Sequence, residues 1–340
     1  SGGSRGARNG PSIMPGGSKE SYALISKIFE DVSAKVGKDA CVEYLGGSSS
    51  GHYVKMIHNG IEYAIMQLIS EVYNVLKIGL NKNNKELSEI FTDWNNKILD
   101  SYLLEITGDI FNVKDDETGN YLVDQILDKA KQKGTGKWTS QSAMDLGVSI
   151  PTIDSSVSMR IISSFKELRQ KASDIYTSDI QNNMNIDEDQ VEKSLIFSFI
   201  ISFAQGLSQL QIASKEKSYN LNLESICRIW RGGCIIRAKL LENFMAAFKK
   251  NPKLENLLFD PEIAQLIKDT ESAAREVSIF CINSNIPAYG LLSSLSYFDS
   301  LKSSKLPMNL VQAQRDCFGE HTFERIDKSG FFHHNKWQSK

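Results

Sequence analysis

The chain has 340 residues, 41% of them hydrophobic and 24% charged, with a formal net charge of −2. That length suits one large domain or two modest ones. A balance so near zero argues against a bulk electrostatic drive toward nucleic acid or an anionic membrane, so neither partner is expected. Cys41, Cys227, Cys234, Cys281 and Cys317 are odd in number, scattered and without a CxxC pair. This argues against a disulfide framework and a structural zinc site; no metal is expected, and a reducing, cytoplasmic compartment is.

In chain order, the glycine-rich SGGSRGARNGPSIMPGG at 1–17 reads as loop. Ser18 then stands as the N-cap of a helix, SKESYALISKIFEDVSAKV, and CVEYLG follows as a short β-type run. A helix followed by a strand is what the last piece of an α/β domain looks like. From His52 the 3.6-residue period dominates. The spacing predicts helices over 52–80, 86–98, 121–132, 136–147, 155–174, 186–213, 221–249, 260–283 and 286–304. The apolar run Leu195 to Ala204 falls short of the roughly 20 residues that span a bilayer, so it is expected to be a buried core helix. Pro307 opens a short helix, NLVQAQRDCF, with Gly319 as its expected C′ residue. The tail beyond carries Phe and Trp without an amphipathic period, and needs a surface to lie on. The chain opens with Ser1 and not Met, so a missing targeting signal carries little weight.

Two constellations point to chemistry. In GHYVKMIHNGIEY, residues 51–63, the side chains of Lys55, His58, Asn59, Glu62 and Tyr63 fall at i, i+3, i+4, i+7 and i+8, on one helix face. Val54, Met56, Ile57 and Ile61 are expected to bury on the other. The stripe reads in two ways. It is a solvated face with a Lys–Glu pair, or it faces a cleft, with Lys55 as a base of depressed pKa and Glu62 as an acid of raised pKa. The second constellation is basic and dispersed: Lys133 and Lys137 in QKGTGKW, Arg160 in SMRIISSF, and Arg315 and His321 in QAQRDCFGEH. Arg160 on an apolar helix needs either an acidic partner or a phosphate. GTGK lacks Walker A spacing, and no GxGxxG, HExxH or GxSxG occurs.

The segment GHYVKMIHNGIEYAIMQLISE resembles the signature helix of the 6-phosphogluconate dehydrogenase family. SGG…GAR.GPS.MPGG, QKGTGKWT.QSA..LGV, RIWRGGCIIRAKLL and NLVQAQRDCFGEHTFERID match further blocks of that family in order, over essentially the whole chain. The resemblance implies a mainly α fold. The end of an NADP-binding Rossmann-type domain would occupy 1–48, an all-helical substrate-binding and dimerisation domain 49–304, and a C-terminal tail reaching the partner subunit 305–340. Most of the coenzyme domain would lie outside the chain. The implied activity is oxidative decarboxylation of 6-phosphogluconate to ribulose 5-phosphate with reduction of NADP. Lys55 would be the general base and Glu62 the acid. Ser1, Gly2, Gly3, His58 and Asn59 would hold the sugar acid, and Tyr63, Lys133 and Arg160 its phosphate. Arg315 and His321 would reach the neighbouring subunit's site in a homodimer with shared active sites. The alternative is a non-catalytic helical fragment that dimerises and binds sugar phosphate. The chain departs from the family at Ala64 and Ile65 after IEY, and at Ser4 and Arg5, where acidic residues are common.

Overall fold

The computed structural model describes residues 3–177 and 184–337. It divides into two compact units, Ser1–Leu295 and Ser296–Lys340. The elements run α1 (Gly3–Asn9), α2 (Lys19–Val32), β1 (Lys35–Val36), β2 (Asp39–Ala40), α3 (Ser50–Asn74), α4 (Asn84–Asn95) and α5 (Tyr102–Ile110). They continue with α6 (Leu122–Gln125), α7 (Thr135–Leu146), α8 (Pro151–Ser164), α9 (Lys166–Ile175) and α10 (Glu188–Glu216). The last are α11 (Leu223–Trp230), α12 (Leu240–Lys250), α13 (Pro261–Asn283), α14 (Tyr289–Lys302), α15 (Met308–Gly319), β3 (Phe323–Glu324) and β4 (Phe331–Phe332).

The first unit is built around α10, which packs against α3, α8 and α13. Its run Leu195, Ile196, Phe197, Phe199, Ile200, Ile201 and Phe203 is buried on every side, as a helix apolar all round must be. This is the one described helix long and apolar enough to cross a membrane, and 83% of its most apolar window is buried inside the protein. Asp187 caps it: its carboxylate accepts the Gln190 N–H, and Gln190 Oε1 accepts the Asp187 N–H in return. Asn83 and Glu86 form the same capping box at α4. The long helix expected from His52 is α3, which ends in a π-helical turn, Val75–Gly79. One buried carboxylate ties α3 to α14. Glu71 accepts the backbone N–H groups of Gly290 (2.8 Å) and Leu291 (2.9 Å), buried donors of a helix start that have no intrahelical acceptor.

Several expected boundaries move. The opening segment is not all loop: Gly3–Asn9 is helical, and Arg5 bonds Glu105 at 3.3 Å. Ser18 does cap α2, accepting the Ser21 N–H. CVEYLG does not form a strand, since Val42 makes only a single parallel bridge to Ile13 and a ladder needs a continuous partner. The 121–132 helix shrinks to one turn, leaving Ile126 and Leu127 exposed with nothing to pay for helical order. Helix 155–174 breaks at Phe165 into α8 and α9, and 221–249 breaks at RGGC into α11 and α12. There Gly233 adopts φ +69°, and a Cβ on it would stand 2.6 Å from the backbone of Pro11 and Ser12. The interruption thus docks the N-terminal segment, with the Ser12 N–H bonded to the Gly233 carbonyl at 2.8 Å. A helix absent from the sequence reading, α5, is capped by Ser101 and buries Leu103 and Leu104.

In the second unit α15 precedes an antiparallel hairpin, with Phe323 opposite Phe332 and Glu324 opposite Phe331. Its left-handed terminal residue is Glu320 (φ 53°) and not Gly319, which is still helical.

Candidate active site

The stripe predicted on one face of α3 is present, but it is not a solvated face. His58 is fully buried, Tyr63 is 5% exposed, and the Glu62 side chain retains 16% exposure. Val54, Ile57 and Ile61 fill the core as expected. Met56 does not; it joins a cleft wall beside Lys55.

Imidazole His58 is the meeting point. Its Nδ1 lies 3.2 Å from Lys55 Nζ, 3.2 Å from Asn59 Oδ1 and 3.9 Å from Glu62 Oε2. The amine and the carboxyl, two helical turns apart in sequence, therefore approach one ring nitrogen. The ring is fixed from behind by Trp230, which it meets edge-on at 5.6 Å. Its Nε2 has no hydrogen-bond partner. Burial, and secondarily the charge of Lys55, holds the His58 pKa well below its usual value, so the imidazole is neutral.

Burial also depresses the pKa of Lys55, opposed by the attraction of Glu62. It raises that of Glu62, opposed by Lys55 and Arg160. Both shifts have the direction that proton transfer near neutrality requires. For Lys55 the leading cause is desolvation, not neighbouring cations.

Arg160, at the C-terminal half of α8, finds no carboxylate partner among the described residues. Its guanidinium lies 3.5 Å above the centre of the Tyr63 ring, with Nη2 3.5 Å from Met66 Sδ. Stacking accounts for its tolerance on an apolar helix, and a guanidinium so placed is suited to an anion. The sequence QKGTGKW explains how α7 comes close enough to hold Tyr63. A Cβ on Gly136 would sit 2.5 Å from the Tyr63 ring, so only glycine lets the helices approach this far.

A cleft of about 400 Å³ opens beside the stripe, lined by Ser49, His52, Tyr53, Lys55, Met56, Asn59, Thr135 and Trp138. Thr135 and Trp138 were not singled out from sequence, although they stand within the GTGKWT block that was. Glu62, further along α3, and Arg160, on α8, are not among the residues lining this cleft. Lys133 is exposed at the entry to α7. Gly3 begins α1, with no other atom near its Cα substituent position, and Ser1 and Gly2 fall outside the described residues. Arg315 and His321 belong to the second unit and are exposed there. Arg315 Nη1 donates to Gln312 Oε1 (3.1 Å), and His321 rests edge-on against Phe318. Cys234 is buried and its thiol is pushed up to about 12, mainly by burial, which makes it inert. Among the described residues no group of three or more His, Cys, Asp or Glu side chains is arranged to hold a metal ion.

The model of the 6-phosphogluconate dehydrogenase C-terminal domain matches residues 51–337, and that of the NAD binding domain of 6-phosphogluconate dehydrogenase matches 1–46. The chain is 50% identical over 340 residues to the decarboxylating 6-phosphogluconate dehydrogenase of Lactococcus lactis subsp. lactis, covering 98% of this chain and 72% of that protein. It is 50% identical over 337 residues to the NADP(+)-dependent, decarboxylating enzyme of Bacillus subtilis, with the same coverage of 98% and 72%. Plasmodium falciparum 6-phosphogluconate dehydrogenase, solved in its apo form and in complex with its cofactor NADP+ and with its substrate 6-phosphogluconate, superposes with a TM-score of 0.96. It is 48% identical to this chain, over 98% of it and 73% of the solved chain. With two family models accounting for almost its whole length and half its residues shared with these enzymes, the chain belongs to the 6-phosphogluconate dehydrogenase family.

Proposed function

We propose that this chain carries the catalytic and substrate-binding machinery for oxidative decarboxylation of 6-phosphogluconate to ribulose 5-phosphate and CO2, with NADP as hydride acceptor. The observation that carries the reading is the approach of Lys55 and Glu62 to one buried imidazole nitrogen, with burial pushing both pKa values toward neutrality.

The chemistry follows from those two groups. Neutral Lys55 takes the proton of the C3 hydroxyl as hydride leaves C3. The lysine, now protonated, hydrogen-bonds the new C3 carbonyl. That carbonyl accepts the electron pair of the breaking C1–C2 carboxylate bond, so CO2 departs to leave an enediol. Glu62, its pKa raised by burial, is the acid that delivers a proton to the carbon that lost CO2. His58 stays neutral and, with Asn59, holds the sugar hydroxyls. Arg160, braced by Tyr63, binds the phosphate with Lys133.

NADP supplies the hydride-accepting ring when bound. The walls that Tyr53, Met56 and Trp138 place next to Lys55 suit a planar apolar group. The chain has no GxGxxG, so contacts to the dinucleotide's diphosphate are not assigned to its residues. Relatives are longer than this chain, and turnover is to be measured on a chain extended to their length.

The active enzyme is proposed to be a cytoplasmic homodimer whose tail residues Arg315 and His321 complete the neighbouring site. Support comes from large apolar side chains left exposed. Met144, Leu168, Ile175 and Tyr176, on α7, α9 and the residue after it, are 65–80% exposed. In the tail Phe318 and Phe331 are 75% and 77% exposed. Apolar area of this kind calls for a partner.

Lys55→Ala tests the assignment. Loss of the base is expected to lower kcat by roughly 10²–10⁴-fold, with helical content and oligomeric state unchanged. Normal turnover by the variant would defeat it.

A further inference from the structure

The tail is ordered in an unusual way. Of the described residues in 296–340, Asp316 alone is buried. A segment rich in Phe and Trp thus has a carboxylate at its centre in place of an apolar core. Its two oxygens accept four hydrogen bonds from three stretches of chain. Oδ1 takes the Thr322 N–H (2.9 Å) and His333 Nδ1 (2.9 Å). Oδ2 takes the His334 N–H (3.0 Å) and the Trp337 indole N–H (2.7 Å). Burial alone would push this carboxyl up, but donation from His333, His334, Trp337 and Thr322 outweighs it and holds the group well below the usual carboxylate range.

The placement of those donors matters. Thr322 immediately precedes β3, and His333 and His334 immediately follow β4. The carboxylate therefore closes the open end of the hairpin from both strands. Gln312, one turn earlier on α15, makes a second clasp: its amide donates to the Thr322 carbonyl, and its Oε1 accepts from Arg315 Nη1. Both peptide groups of Thr322 are held, so the residue before it, His321, has its backbone fixed relative to α15. Arg315 is fixed by the same amide. Glu320 is turned toward His333, at 3.9 Å. A hairpin this short has no independent stability; its aromatic contacts, Phe323 against Phe332 and Trp337, are only part-buried, and the clasp anchors them to α15.

We propose that Asp316 is a positioning residue for the reaction: with Gln312 it locks the tail into the geometry that presents Arg315 and His321 as one rigid pair to the phosphate end of the substrate. This rests on the reading that these two residues complete a neighbouring subunit's site. It predicts that the tail is shaped before it meets a partner and binds without the cost of ordering.

The test uses three variants of the full-length enzyme: Asp316→Asn, Gln312→Leu and Arg315→Ala. Asparagine keeps one acceptor oxygen but turns an NH2 toward two donors. Asp316→Asn is expected to raise KM for 6-phosphogluconate roughly 10-fold or more while kcat changes little. Hydrogen exchange in 320–337 is expected to accelerate, with dimer content unchanged. Gln312→Leu should shift KM in the same direction by a smaller factor. Tail exchange at the wild-type rate in Asp316→Asn would overturn the clasp. Accelerated exchange with Arg315→Ala raising KM but Asp316→Asn leaving it unchanged would overturn the positioning role. An unchanged KM in Arg315→Ala would instead overturn the shared-site reading on which the proposal rests.

Discussion

Glu71 offers the sharpest test of the physical account, because its role is structural and its titration falls in an accessible window. It is 2% exposed and accepts the N–H groups of Gly290 and Leu291 and the amide of Gln67. Burial raises its pKa from 4.5 to about 7, against those bonds, which pull it down. The folded state thus binds the proton more tightly than the unfolded chain does. Ionisation of Glu71 works against folding above about pH 7, and that penalty vanishes as pH falls toward 4.5. At about 1.36 kcal/mol per pKa unit the full penalty is about 3 kcal/mol. Between about pH 5 and about pH 8 it changes by roughly 2 to 3 kcal/mol. Glu71→Gln removes the titration. Its amide leaves one N–H of α14 poorly paired, a constant cost at every pH. In urea unfolding followed by circular dichroism across this range, the wild type should exceed the variant most at acid pH, and the gap should shrink by that amount on going alkaline. His58 works in the opposite sense: its depressed pKa means the unfolded chain takes the proton below 6.5, which erodes stability on acidification. That term is common to both proteins and cancels in the difference. A gap independent of pH would refute the assignment of a poised, buried carboxyl.

Three further outcomes follow from the site. The pH profile of kcat/KM should be a bell bounded by Lys55 and Glu62, and Glu62→Gln should erase one limb while slowing turnover roughly 10²-fold or more; an unchanged bell would remove Glu62 from the reaction. Arg160→Lys keeps the charge but loses the planar stack on Tyr63, so KM for 6-phosphogluconate should rise roughly 10-fold with little change in kcat; an unaltered KM would show that the guanidinium does not bind the phosphate. Gly136→Ala places a methyl 2.5 Å from the Tyr63 ring and should cost about 1–3 kcal/mol of stability, read as a lowered urea midpoint. A midpoint equal to the wild type would show that α7 can retreat freely.

Much of this architecture was legible in the chain as written. Helical period located α3, α4, α7, α10 and α13 to within a few residues, because each carries its own apolar spacing, as in the buried run Leu195–Ala204; the capping boxes Asn83 with Glu86 and Asp187 with Gln190 emerged only in the structure. Family motifs identified Lys55 and Glu62, and their seven-residue spacing alone put them on one face. Breaks decided by distant contacts were not legible. RGGC interrupts a helical pattern because the N-terminal segment packs on it, and 121–132 unwinds because nothing covers Ile126 and Leu127. Periodicity records which residues prefer to be inside, not which neighbour arrives.

The same division runs through the site. Sequence determined which groups share a helix face and that an arginine sat on an apolar helix in need of a partner. Only tertiary structure decided that the stripe is largely buried, that the amine and the carboxyl both approach His58 Nδ1, and that Arg160 rests on an aromatic ring. Local order is written in the chain because it depends on neighbours a few residues away. Desolvation is not, because the atoms that exclude water from Lys55 and Glu62 come from helices far along the sequence, and it is desolvation that sets the pKa values the chemistry needs.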